Sequence, residues 1–207
     1  MHHDDFNFEP VRGLPAALPP DEHILWQGAP SAWRLAREAF VMDWVALYFV
    51  LVAVWRVGVS STLVSVSVAL AHGIPFLVMG LVACAILYGL AWMQARSTVY
   101  TLTNKRVALR IGAALTMTLN VPYVQIGNAH LQTRRDGTGT LAFETIGDAR
   151  ISYLMSWPHV RPWHIRTQPA LRCIPDAARV SEIFAEAAEA RVNRPQVAPV
   201  QQPIAAE

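Results

Sequence analysis

Charge is scarce in this 207-residue chain, and it is scarcest where the sequence is most apolar. Charged residues make up 15% of it, against about 25% for an ordinary soluble domain. Between positions 40 and 93 only Asp43 and Arg56 carry formal charge, which excludes a water-facing surface for that stretch. A basic excess is also missing. The net charge is +2 and no basic run alternates with aromatics, so a nucleic-acid partner is excluded. There are 2 cysteines. Cys84 lies in the apolar block and Cys173 in the polar part, so each reads as a packing residue rather than half of a disulfide. A cleavable leader is not expected, because residues 1–30 hold acids and prolines where a basic start and an apolar core would be needed. Catalytic signatures are absent as well: no Gly-x-Ser-x-Gly, no P-loop, no His-Glu-x-x-His. "GTGT" (137–140) is a hairpin turn, since a dinucleotide site would need a helix after it. The chain is therefore not expected to be an enzyme, and no catalytic residue or cofactor is assigned.

Apolar residues make up 53% of the chain, and they are concentrated. Residues 40–59 and 74–93 form two apolar runs of 20, each long enough as a helix to cover about 30 Å of hydrocarbon. Trp44 and Trp55 fall toward the ends of the first run, and Arg56 can snorkel. Pro75 suits the first turn of the second. Ser31 is a fitting N-cap for a short helix carrying Trp33, Arg34 and Arg37 at the membrane edge. Residues 60–72 read as an interfacial helix or an extension of a span; a third crossing is the alternative. Arg34 and Arg37 before the first run, and Arg96, Lys105, Arg106 and Arg110 after the second, favour two crossings with both termini in the cytoplasm. These six basic residues are the candidate membrane-surface and lipid contacts. "GLVACAILYGLA" (80–91) is rich in small residues, which permit close helix approach within the hairpin, between copies of the chain, or with client helices.

After position 97 the period becomes two. "STVYTLTNKRVALRIG" gives two strands, and "ALTMTLNVPY", "NAHLQT", "LAFETI", "ARISYLMSW" and "ALRCI" give five more, the spacing of a small sandwich or barrel. Pro175 and Asp176 open a helix whose Val180, Ile183, Phe184, Ala187 and Ala188 form one apolar stripe, suited to capping the sheet. The expected organisation is α+β: a mostly irregular segment at 1–30, a membrane anchor at 31–96, a β domain with its closing helix at 97–192, and a disordered tail at 193–207.

"WPHVRPWHI" (157–165) is the most unusual stretch. Pro158 and Pro162 interrupt pairing, so it is an edge or loop. His159 and His164 are five apart, with no Cys or acid nearby to complete a tetrahedral set, so no metal site is assigned. Trp157, His159, Arg161 and Trp163 are the candidate partner-binding residues, because aromatics and arginine on a stiff frame suit an interface. One ring is expected to be buried and the other available. His72 could ligate a magnesium macrocycle, but the Gly73 and Pro75 that follow favour a loop at the interface. Asp43 reads as an acid stabilised by a helix N-terminus, the alternative being a buried functional carboxylate.

The order "LWQGAP", apolar hairpin, "YTLTNKRVALRIG", strands and closing helix resembles the bacterial pleckstrin-homology-like membrane proteins. "FEPVRGLP", "TLNVPYVQI", "WPHVRPWHI" and "ALRCIPDAARV" resemble the photosynthetic-complex assembly members of that group, over residues 6–190. The resemblance implies a pleckstrin-homology-like barrel or sandwich on a two-helix anchor, in the inner membrane of a phototrophic bacterium. It also implies reaction-centre and core-antenna polypeptides as partners. Asp43 departs from the pattern, which has basic residues there. An anionic-lipid-binding module without a photosynthetic client is the rival expectation.

Overall fold

The computed structural model describes residues 11–112, 116–146, 151–162, 164 and 166–192. A short strand β1 (Ile24–Gly28) is followed by helices α1 (Ala32–Glu38), α2 (Met42–Ser61) and α3 (Val66–Ser97). Six strands come next: β2 (Val99–Thr103), β3 (Arg106–Ile111), β4 (Met117–Pro122), β5 (Ile126–Thr133), β6 (Gly139–Thr145) and β7 (Ala170–Ile174). A four-residue helix α4 (Tyr153–Ser156) precedes β7, and α5 (Ala177–Val192) closes the domain.

The two long helices are the only described ones with the length and composition to cross a membrane, and only 11% of each apolar window is buried within the chain. A core helix of a soluble domain would be covered on most sides; these are not. They pack on each other where side chains are smallest. A Cβ on Gly73 would come within 2.8 Å of Val57, and one on Gly80 within 2.7 Å of Phe49. The small-residue run thus meets α2 at Gly80, whereas Gly89 faces open space. At 32 residues, α3 is about 48 Å long, more than the roughly 30 Å thickness of a bilayer's hydrocarbon core. Of the intermediate segment, residues 60 and 61 end α2 and residues 66–72 form the first turns of α3. Pro75 then lies inside the helix rather than in its first turn. There the proline removes one backbone N–H from the helix and frees the carbonyl four residues before it. His72 likewise sits in the helix, with Nδ1 3.0 Å from the Ser60 hydroxyl. That replaces the loop reading.

The β domain has two antiparallel sheets, β1-β2-β3-β4 and β5-β6-β7, in sandwich-like rather than closed form. β1 pairs with β2 across the whole anchor, Trp26 opposite Leu102 and Gly28 opposite Tyr100. The boundary drawn at residue 30 therefore cuts a strand from its sheet. Pairing between residues so far apart leaves no local mark in a sequence. "ARISYLMSW" is the other correction: its residues 153–156 form α4, and 147–150 lie outside the described residues. The core joins Leu102, Val107, Leu109, Leu141, Phe143 and Leu171 to the apolar stripe of α5. The Phe184 ring lies 5.0 Å from that of Phe143 and 5.5 Å from that of Tyr123.

Candidate functional site: the joint between anchor and β domain

The stretch from Trp157 to Pro162 folds against the place where α1, the end of α3 and β7 meet. Its centre is inward. His159 is fully buried, although it was assigned to a contact surface. The Arg172 backbone N–H reaches the Tyr100 hydroxyl at 3.3 Å, and that hydroxyl lies 2.5 Å from His159 Nδ1. Nε2 faces the Thr98 hydroxyl at 3.2 Å, which itself donates to the Gln94 carbonyl at 2.8 Å. One tautomer fits the bonds to both hydroxyls: Nδ1 accepts from Tyr100 and Nε2–H donates to Thr98, with the Gln94 side-chain nitrogen 3.4 Å from Nε2. Burial, with Arg172 adding to it, lowers the His159 pKa to about 3, so the ring is neutral near pH 7. His159 ties the loop to the root of the β domain and is fully buried within the chain. Proline-rich spacing gave no hint of this, because the residues that bury the ring lie about 60 positions upstream in sequence.

Trp157 is half-exposed, edge-on to Phe40 at 5.1 Å. Arg161 Nη1 donates to the Gln168 side chain at 3.1 Å. Trp163 lies outside the described residues, as do 1–10 and 193–207. The larger exposed apolar surface was not anticipated. α4 presents Tyr153, Leu154 and Met155, with Leu154 85% exposed. A four-residue helix has too little length to show a period, although three consecutive large apolar residues before "SWP" were a usable signal.

The six basic residues assigned to the membrane surface have different places. Arg34 pairs with Asp136 in the β5–β6 turn, and Arg37 with Asp43 at 2.8 Å. Asp43 sits in the first turn of α2, so both the helix dipole and Arg37 stabilise it. Lys105 pairs with Asp21 at 2.5 Å and Arg106 with the buried Glu22 at 2.9 Å. Both lie at the far end of β2, which five residues carry about 17 Å from the exit of α3. Their nearness to the membrane in sequence is therefore undone by the strand. Arg110, opposite Val99, returns to the near end but is buried. Arg96 is exposed and stacks on Trp92 at 5.1 Å.

The joint is held by a second cluster. Glu38, the last residue of α1, pairs with Arg134 at the β5–β6 turn and accepts from the Cys173 thiol at 3.6 Å. Burial, and Glu38 beside it, push the Cys173 thiol up to about 12, leaving it unreactive. Ser31 occupies the N-cap position of α1 without a side-chain cap; its N–H donates to the Cys173 carbonyl at 2.8 Å instead. α1 is thereby bonded to β7 at its start and to the β5–β6 turn at its end. Among the described residues no three His, Cys, Asp or Glu side chains gather as metal ligands.

The chain is 46% identical over 200 residues to the "uncharacterized 23.7 kDa protein in puhA 5′ region" of Rhodobacter capsulatus, covering 95% of this chain and 94% of that one. A solved structure of a DUF1696 family protein with a pleckstrin-homology domain, from Shewanella loihica PV-4, is 15% identical over 44% of this chain and 71% of its own, with a TM-score of 0.29. Residues 45–188 match the family described as bacterial PH domain, a span that takes in most of α2, all of α3, β2 to β7 and most of α5, and this chain belongs to that family.

Proposed function

We propose that the protein is a membrane-anchored assembly factor of the PuhB kind, which brings photosynthetic reaction-centre and core-antenna polypeptides together. The observation that carries this reading is the near full-length 46% identity to a protein whose gene lies 5′ of puhA, in a photosynthesis gene neighbourhood. The motifs quoted above point the same way. α2 and α3 cross the inner membrane as a hairpin, and both termini with the β domain lie in the cytoplasm. Anchoring raises the effective concentration of the domain near membrane-inserted clients without any further contact. The protein performs no bond-making step of its own; it acts by contact.

The contact surface is assigned to the α4 knob (Tyr153, Leu154, Met155) together with Trp157. These side chains are exposed and apolar, and the Trp157–Phe40 pair keeps them close to the start of the anchor. Deleting the gene lowers reaction-centre and core-antenna protein several-fold and leaves their transcripts intact; normal complex levels in the deletion strain would remove the reading. Leu154→Ala with Met155→Ala weakens co-purification of these clients while the protein stays in the membrane fraction. Undiminished co-purification moves the contact elsewhere.

A further inference from the structure

The two seams of the sandwich differ. On the β7 side α1 closes the gap: Ser31 N–H donates to the Cys173 carbonyl, and Glu38 pairs with Arg134. On the other side β4 pairs with β3 and β5 with β6, and among the described residues no ladder runs from β4 to β5. Leu131 marks the opening. It stands opposite Leu141, on the same face of the sheet, yet Leu141 is buried and Leu131 is 41% exposed. The backbone of β5 is open along the same line. The Phe143 N–H donates to the Pro169 carbonyl at 2.9 Å, so Phe143 turns its backbone away from β5, and Ala129, opposite it, turns its own away from β6. By the alternation of an antiparallel pair, Leu131 and Thr133 do the same. Among the described residues nothing bonds these outward N–H and C=O groups. Lysine, proline or a bulge usually blunts such an edge. β5 holds no lysine and no proline, and its bulge lies at the start, between Ile126 and Asn128.

Beside that edge lies a hollow of about 380 Å³ between β5 and α5. Ile126 and Ala129 from β5, and Phe184 and Ala188 from α5, make it apolar; Glu189 also lines it. We infer that an extended segment of another polypeptide pairs with β5 as a further strand and sets one apolar side chain into this hollow. An extended chain carries N–H and C=O groups at the two-residue spacing that β5 leaves open. Charge defines the segment further. Glu189 lines the hollow, and the Glu144 carboxylate lies 3.3 Å from the Asn128 amide nitrogen. Glu144 has His130 at 3.6 Å, and among the described residues neither acid meets a lysine or arginine. A basic residue on the incoming segment complements them at the first end of β5. The inference goes beyond the α4 contact, uses none of its residues and does not rest on a photosynthetic client.

The test uses the full chain purified in dodecyl maltoside and a fluorescently labelled peptide of 8 residues, the length of β5, in which threonine and valine alternate around one leucine and one lysine. Fluorescence anisotropy reads binding. The peptide binds saturably, and N-methylation of alternate amides along one of its edges weakens it by about tenfold. Ala129→Pro removes an outward N–H and leaves the β5–β6 ladder in place; it weakens binding by about tenfold. Ala188→Trp fills the hollow and does the same. Near-ultraviolet dichroism reports whether each variant is folded. Glu189→Lys, on an exposed position, keeps the fold in either case and weakens binding several-fold, as does glutamate in place of the peptide's lysine. Leu154→Ala with Met155→Ala leaves peptide binding unchanged, so a failure of the α4 contact and a failure of this one are read separately. No saturable binding below about 1 mM, binding that neither N-methylated edge weakens, or wild-type binding by Glu189→Lys or by folded Ala129→Pro or Ala188→Trp overturns the inference. A chain that is dimeric in detergent, turned monomeric by Ala129→Pro and blind to the peptide, overturns it as well and gives β5 to a second copy.

Discussion

The anchor and the β domain use the same apolar residue types in opposite places. In α2 and α3, Leu51, Trp55, Ile74 and Leu81 point outward and are among the most exposed side chains. In β2 and β3, every residue but Arg106 is buried, and the outward positions of α5 hold Glu182, Glu186 and Glu189. Burial in water is driven by removing apolar area from solvent; on the proposed membrane reading, α2 and α3 meet the same demand by leaving that area to lipid. The contrast teaches where polar chemistry must go. It concentrates at the joint, where His159, Glu38, Arg134 and Arg172 connect two parts whose shared apolar contacts, among the described residues, include the small cluster of Leu35, Ala36, Met42, Ala91 and Cys173 and the Phe40–Trp157 ring pair.

The sharpest way to break this comparison is a pair of truncations. Phe184→Ala removes a ring packed between Tyr123 and Phe143 and costs the β domain about 3–5 kcal/mol. Leu81→Ala removes a side chain that is 72% exposed and leaves β-domain stability unchanged. Denaturant melts of both variants in the same detergent, followed by near-ultraviolet dichroism, measure the difference. An equal loss in Leu81→Ala would show that this face of α3 is covered by protein.

Much of the contrast was legible in the sequence, because hydrophobic run length and the change of period from helix to strand are local signals. The two long helices, β2 to β7 and the apolar stripe of α5 follow from them. The missing pieces are those fixed by partners far away. β1 became a strand only through β2, 74 positions on in the case of Gln27 and Thr101. His159 looked like a surface residue because prolines flank it, and it was buried by Tyr100 and Thr98. Arg34, Arg37, Lys105 and Arg106 looked like topology markers or lipid contacts. Charge counts carry no information about the acids that meet them at Asp136, Asp43, Asp21 and Glu22.

Acid sharpens the comparison at the joint. His159 has a folded-state pKa of about 3, against 6.5 for an ordinary histidine. The unfolded chain therefore binds a proton that the folded chain refuses, and stability present above pH 6.5 is lost as the pH falls toward 3. His159→Gln removes that titration. At pH 7 it costs about 1–3 kcal/mol through the broken Tyr100 and Thr98 bonds, and the deficit shrinks as the pH falls from 6 to 4. The difference between the two stability-versus-pH curves isolates this group from the carboxylates. A constant difference would mean that the ring is solvated in the folded protein.

The smallest expected effect lies at the membrane edge. Arg37 and Asp43 pair at 2.8 Å, with side chains 37% and 52% exposed, so their attraction is screened and worth about 0.2–1 kcal/mol. A double-mutant cycle of Arg37→Gln and Asp43→Asn should return a coupling in that range, falling as salt rises from 0.05 to 0.5 M, about a threefold fall in Debye length. The value matters beyond its size, because it reports the dielectric at the first turn of α2. A coupling above about 2 kcal/mol that ignored salt would put the pair inside the apolar layer. The anchor would then enter the membrane a turn earlier than Met42.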